Sequence, residues 1–174
     1  MDFHHLIAQR RSHRSYTQGE LTAQQVQDLL RAALMAPTSR NQQAWQFVVV
    51  DSKTDLDKLA DAKENGAAFV RKASLAVAVL GDPMANDCWV EDGSIAAFAM
   101  QLQAEDMGLA SCWVQIRGRR LSDGTKATDV VRGILQIPEQ WEVLCLVAFG
   151  QKVHTLPPHD EDNLKWENVH VDQY

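Results

Sequence analysis

Leu75-Ala76-Val77-Ala78-Val79-Leu80, closed by Gly81-Asp82-Pro83, is the stretch that decides the fold. It is short, uncharged and apolar at every position, and it stops at a turn signal. Such a run reads as a strand covered on both faces, because a strand with one wet face would alternate polar with apolar. Phe47-Val48-Val49-Val50, Leu109 to Ile116, and Val143 to Phe149 ahead of Gly150 repeat the pattern. Helical periodicity fills the intervals between them. Buried strands separated by helices predict an α+β fold, a three-layer α/β/α sandwich in which a mixed sheet is flanked by helices. No repeat or linker divides the chain, so residues 1–174 read as a single domain. Residues 151–174 turn polar and proline-containing and form a C-terminal arm lying across a surface, its own or a partner's.

The helices announce themselves by their ends. Thr22 with Gln25 forms a capping box, Leu21 and Val26 can make a hydrophobic staple, and Val26, Leu29, Leu30, Ala33 and Leu34 make one apolar face before Pro37 stops the helix. Phe3, Leu6 and Ile7 give a shorter helix at the start. Two short helices are expected around residues 54–63 and 67–72, and another around 128–135. From about Asp87 to Met107 apolar and small residues surround the helix almost completely, which suits a core or a subunit interface. Gly108 is its expected C-terminal cap.

The chain has 174 residues and a net charge of −6, which argues against nucleic acid and anionic membrane surfaces as partners. No apolar run approaches the ~18 residues of a membrane span, and the start has no signal-peptide pattern, so a cytoplasmic location is expected. Cys88, Cys112 and Cys145 show no C-x-x-C spacing and read as buried reduced thiols.

Against the acidic background, Arg10-Arg11-Ser12-His13-Arg14 concentrates three guanidinium groups and a hydroxyl at a helix end. Guanidinium forks match phosphate oxygens bidentately, so a dense anion is a natural guest; a solvated basic turn accounts for the spacing equally well. Pro37-Thr38-Ser39-Arg40-Asn41-Gln42-Gln43-Ala44-Trp45 places polar side chains between a helix stop and a buried strand, where free backbone amides could meet the edge of a polar heterocycle. Trp45 is either a wall of that pocket or a core aromatic. Gly108 to Gln115 is a glycine bend entering a strand, followed by Arg117, Arg119 and Arg120, which an exposed charged loop also explains.

Taken together and in order, these segments resemble the nitroreductase family of FMN-dependent oxidoreductases. R-R-S-x-R-x-[FY] is met at Arg10 to Tyr16, and A-P-[ST]-x-x-N-x-Q-P-W from Ala36 to Trp45 with Ala44 in place of the proline. G-L-[GA]-x-x-W is met at Gly108 to Trp113, and I-[LI]-x-[IL]-P-E at Ile134 to Glu139, ahead of a last strand ending in glycine.

The resemblance implies that Arg10, Arg11, Ser12 and Arg14 hold the flavin phosphate and pyrimidine edge. Pro37, Thr38, Ser39 and Asn41 would approach the same flavin from the other subunit of a homodimer, and the backbone at Cys112 and Trp113 would lie beside the ring. Lys152 is the nearest candidate for a further phosphate contact, with Lys165 next. An acidic residue and a glycine that longer members insert near the ring have no counterpart here.

The implied reaction passes electrons from NADH or NADPH to a nitroaromatic or quinone by a ping-pong mechanism. The ring does the electron chemistry, so no protein acid, base or metal is nominated. A flavin-binding, storage or redox-sensing protein is the alternative. A metal hydrolase built on His154, His159, Asp160, Glu161 and Asp162 has no helix-spaced His pair behind it, and a solvated acidic loop explains these residues better.

Overall fold

The computed structural model describes residues 2–174. Its centre is the strand β5, Glu142–Lys152, antiparallel to β3 (Leu75–Gly81) along one edge and to β4 (Leu109–Gln115) along the other. β2 (Trp45–Val50) extends the sheet beyond β3, and the two-residue β1 (Tyr16–Thr17) pairs with Gln151 and Lys152. The strand ladders are all antiparallel. The mixed character expected of the sheet is confined to one parallel bridge, between Ser12 and Ser111, which adds the N-terminal segment to the outer edge of β4.

Alternation along β3 assigns its two faces. Leu75, Val77 and Val79 pack with Leu29 and Ala33 of α2 (Ala23–Leu34) and with Ala96, Ala97, Met100 and Ala104 of α4 (Trp89–Asp106). Ala76, Ala78 and Leu80 pack with Leu56 and Leu59 of α3 (Lys53–Ala60) and with Ala127 and Val131 of α5 (Ala127–Leu135). Both faces are therefore covered, and Val77 and Val79, wholly buried, each contribute roughly 1.5–3 kcal/mol by leaving water. The three layers and the α+β class stand as expected.

Local signals set the helix ends. The Thr22–Gln25 capping box is formed in both directions, and α2 ends at Leu34, just ahead of Pro37. Gly108, at φ +72°, follows α4 as its C-terminal turn, its N–H bonded to Glu105 O. Of the two short helices expected between β2 and β3 the second is a 3-10 turn, Ala68–Lys72. α4 can lie close on the sheet because of Gly93, where a Cβ would stand 2.7 Å from Leu144 Cδ2.

α4 is less enclosed than its composition implies. One face is buried, but Ile95 and Phe98 remain 43% and 42% exposed, Phe98 lining a cavity with the exposed Ile7 of α1 (Phe3–Gln9). The arm leaves β5 and runs back over α1, where His159 N–H donates to Ala8 O at 2.8 Å. Cys112 and Cys145 are buried as expected; Cys88, at the entrance to α4, is only partly so.

Candidate functional site

The cluster Arg10–Arg14 is placed by the edge of the sheet. Arg10 closes α1 with its N–H on Leu6 O, and the chain then runs beside β4, where His13 N–H donates to Ser111 O at 2.9 Å. Tyr16 OH donates to His13 O at 3.0 Å, and the Tyr16 ring packs where Gly150 has no side chain: a Cβ there would meet the ring 2.8 Å away. Ser12, Arg10 and Arg14 all bear on the Cys112 thiol, and although they favour its ionised form, burial outweighs them and pushes the thiol up from its ordinary value.

The three arginines do not behave alike. Arg11 Nη1 donates to Pro157 O and ties the cluster to the arm. Arg10 and Arg14 have no carboxylate within ion-pair distance among the described residues, in a chain with six more acidic than basic side chains. Lys152 is not past the last strand but its final residue, and Nζ lies 2.6 Å from Glu105 Oε1 in a largely buried pair. It already has an anion from its own chain. His13, 5% exposed, sits in the field of this pair; burial, then Lys152, hold its imidazole below the usual histidine range, and Glu105 opposes them. Lys165 is exposed and pairs loosely with Glu167.

The loop from Pro37 to Gln43 differs in kind. Ser39 N–H donates to Asp92 Oδ1 at 2.9 Å, Asn41 N–H to Thr38 O, Gln42 N–H to Ser39 O and Gln43 N–H to Thr38 Oγ1. These four amides are therefore not free for a heterocycle, contrary to the expectation from the sequence. Arg40, Asn41 and Gln43 all take positive φ, at 52°, 54° and 50°, a sparsely populated region for non-glycine residues. Trp45 is the core aromatic rather than an open pocket wall: it is 8% exposed against Phe47, and its Nε1 has no hydrogen-bond partner among the described residues. On β4, Trp113 Nε1 donates to Gln115 Oε1 at 2.9 Å.

The two segments lie at opposite ends of α4. The loop is held at Asp92, in the first turns, while His13 of the cluster stands near Glu105, in the last; the thirteen helical steps from one to the other span about 20 Å. A single chain does not bring Arg10–Arg14 and Pro37–Asn41 onto one small ligand.

Asp92, Glu105 and Lys63 are charged neighbours of these segments that sequence reasoning passed over. Asp92 is 4% exposed and accepts from both Ser39 N–H and Asn86 Nδ2. Charged residues inside an otherwise apolar helix were the available signal for Asp92 and Glu105. Lys63 had none; it is brought into the field of Cys112 only by the fold. The histidines and acids of the arm make local contacts, with His4 on Glu161 and Asp160 capping Asp162 N–H, and among the described residues no three metal-ligating side chains converge.

Residues 7–82 and 67–151 match the family model described as the nitroreductase family. A protein of Archaeoglobus fulgidus with the provisional name NADH dehydrogenase/NAD(P)H nitroreductase is 32% identical over 149 residues, 83% of this chain and 82% of its own. The FMN-dependent nitroreductase of Clostridium difficile R20291 superposes with a TM-score of 0.95 at 35% identity, covering 97% of this chain and 98% of that one. The NADPH:FMN oxidoreductase of Vibrio harveyi, solved with NAD+, shares the fold at a TM-score of 0.80 and 24% identity, over 98% of this chain and 76% of its own. With the ordered signatures of Arg10–Tyr16, Ala36–Trp45 and Gly108–Trp113 standing on this three-layer frame, the chain belongs to the nitroreductase family.

Proposed function

We propose that the protein is an FMN-dependent oxidoreductase that takes electrons from NADH or NADPH and passes them to a small oxidised organic acceptor such as a nitroaromatic or a quinone. The observation that carries this reading is the pair of uncompensated guanidinium groups, Arg10 and Arg14, on the edge of β4 in an acidic chain. It is supported by the FMN and NAD(P)H in the names of relatives more than 30% identical.

The donor set suits the cofactor. Arg10 and Arg14 offer charge-assisted hydrogen bonds to a phosphate, and Ser12 adds a neutral donor. The backbone of Cys112 and Trp113, on a strand edge, gives a flat ring a wall without a protruding charge. Bound FMN supplies the electron chemistry; the protein's part is to bind, orient and tune. Positive charge at the pyrimidine edge favours the reduced, anionic ring. No acid or base of the chain is assigned a proton. Lys152 enters this picture through Glu105, as a brace beside His13, and not as a free phosphate ligand.

The site is built by two copies. The contact between copies would use the exposed apolar side chains of α1 and α4, Phe3, Ile7, Ile95 and Phe98, and Pro37, Thr38, Ser39 and Asn41 of one copy would meet Arg10–Arg14 of the other. Two identical complete sites result, which answers the 20 Å separation within one chain. Three unpaired cysteines suit a reducing compartment, and we place the enzyme in the cytoplasm. No described helix is long and apolar enough to cross a membrane.

The test is the visible spectrum of the purified protein under anaerobic conditions. A flavin spectrum that bleaches with NADH or NADPH and returns with a nitroarene or quinone is expected. A protein that takes up no FMN, or whose flavin never bleaches, overturns the proposal.

A further inference from the structure

The loop after β4 carries Arg117, Arg119 and Arg120, and the proposed reaction uses none of them. Arg117 is occupied, with its guanidinium 5.7 Å from the Trp89 ring. The other two line a cavity of about 490 Å3 with Lys63, Glu64, Asn65, Gln115 and Gly118, so three cations face one carboxylate. Among the described residues neither Lys63 nor Arg119 has an ion-pair partner, although the chain is acidic.

Hydrogen bonds within the loop hold the cavity wall. Gly118, at φ +72°, makes the turn that lets Arg119 N–H return to Ile116 O at 2.9 Å. Arg119 O then accepts from Ala127 N–H, Arg120 O accepts from Glu64 N–H, and Arg120 Nη1 is held on Gly124 O at 2.8 Å. Lys63 is half-buried, and burial, followed by the nearby Arg119, pushes its ammonium below the usual lysine range. A cation held against its own desolvation and against a second cation is stabilised by any anion that arrives between them. The position of the cavity sets which anion. Gln115 lies three residues along β4 from Cys112, about 10 Å, and Lys63 itself acts on the Cys112 thiol.

We propose that Lys63 and Arg119, with Arg120 and the Gly118 turn, form an oxyanion subsite at the end of β4 that takes a carboxylate or phosphate of the molecule exchanging electrons at the neighbouring ring. This rests on the flavin-reductase reading for the word substrate, but not for the existence of the site. The anion has two sources, a carboxylate on the acceptor or the 2′-phosphate of NADPH.

The subsite is tested on the FMN-loaded protein with Arg119→Gln and Lys63→Met, flavin content being measured in each. Isothermal titration with benzoate and with 2′-AMP reads binding alone. Steady-state kcat/KM for para-nitrobenzoate against para-nitrobenzyl alcohol, and for NADPH against NADH, reads its use. The wild type is expected to bind one of the two anions and to favour the anionic member of the matching pair by about tenfold or more, as a charge-assisted contact implies. Each variant loses that preference through KM and treats the neutral member as before. The pair that responds identifies the source. A protein that binds the anion through these residues but turns nothing over sinks the reductase reading and leaves the subsite standing. Absence of binding to both anions, or a variant that sheds its flavin, overturns the subsite; the second result would assign the cavity to the cofactor.

Discussion

Ser39 N–H donates to Asp92 Oδ1 at 2.9 Å, and the same buried carboxylate accepts from Asn86 Nδ2 at 2.7 Å, so one side chain of α4 holds both the polar loop before β2 and the turn before α4. Replacing it leaves the buried Asn86 amide and the part-buried Ser39 N–H without an acceptor. Asp92→Ala is expected to lower stability by about 1–3 kcal/mol and, by releasing the loop that carries the left-handed Arg40, Asn41 and Gln43, to weaken FMN retention. Urea denaturation and flavin titration of the same preparation check both parts; an unchanged loop would leave flavin affinity unaltered.

Arg14 has no carboxylate partner, so its removal costs the fold little and the cofactor much. Arg14→Ala should raise the dissociation constant for FMN by the equivalent of about 1.5–3 kcal/mol with little effect on the unfolding midpoint of the flavin-free protein. Fluorescence quenching of added FMN measures the first, and thermal unfolding the second.

The Glu105–Lys152 pair makes the opposite prediction. Both side chains are largely buried, so Lys152→Met strands a carboxylate and should destabilise by about 3–5 kcal/mol, while Glu105→Leu with Lys152→Met should recover most of it. A double-mutant cycle by denaturant unfolding decides it.

His13 gives the pH dependence its sign. Its folded pKa lies below the ordinary 6.5, so the unfolded chain binds more protons in the interval between the two. The stability it contributes is present above 6.5 and is lost as the pH falls from there toward the folded value. His13→Gln should flatten the stability profile in that window, measured by urea midpoints at steps of pH; a parallel profile would remove His13 as the cause.

Gly150→Ala sets a Cβ 2.8 Å from the Tyr16 ring, whose hydroxyl anchors His13. Overpacking here should cost about 1–3 kcal/mol and loosen the Arg10–Arg14 segment together with β1. Hydrogen exchange at the His13 amide, bonded to Ser111 O, reports that loosening directly.

Much of this was readable in the chain because the signals were local. The uncharged run Leu75–Leu80 could only be a two-face strand, and Thr22 with Gln25 could only open a helix. β1 escaped because two residues carry no periodicity, and β5 ran on to Lys152 because Tyr16 and Thr17 are there to pair with it. The same pairing moved Lys152 from arm to strand and onto Glu105, a partner 47 residues away that no spacing rule finds. The loop hides for a related reason: positive φ at Arg40, Asn41 and Gln43 turns the amides of Asn41, Gln42 and Gln43 onto acceptors of Thr38 and Ser39, and these residues are not the glycines that would have announced it.

In the proposed assembly one flavin needs residues of two copies. Sedimentation velocity of the FMN-reconstituted protein, read at once in the ultraviolet for protein and in the visible for flavin, tests it most directly. A single boundary at dimer mass carrying two flavins is expected. Flavin travelling with a monomer, or a dimer that sediments without colour, would contradict it.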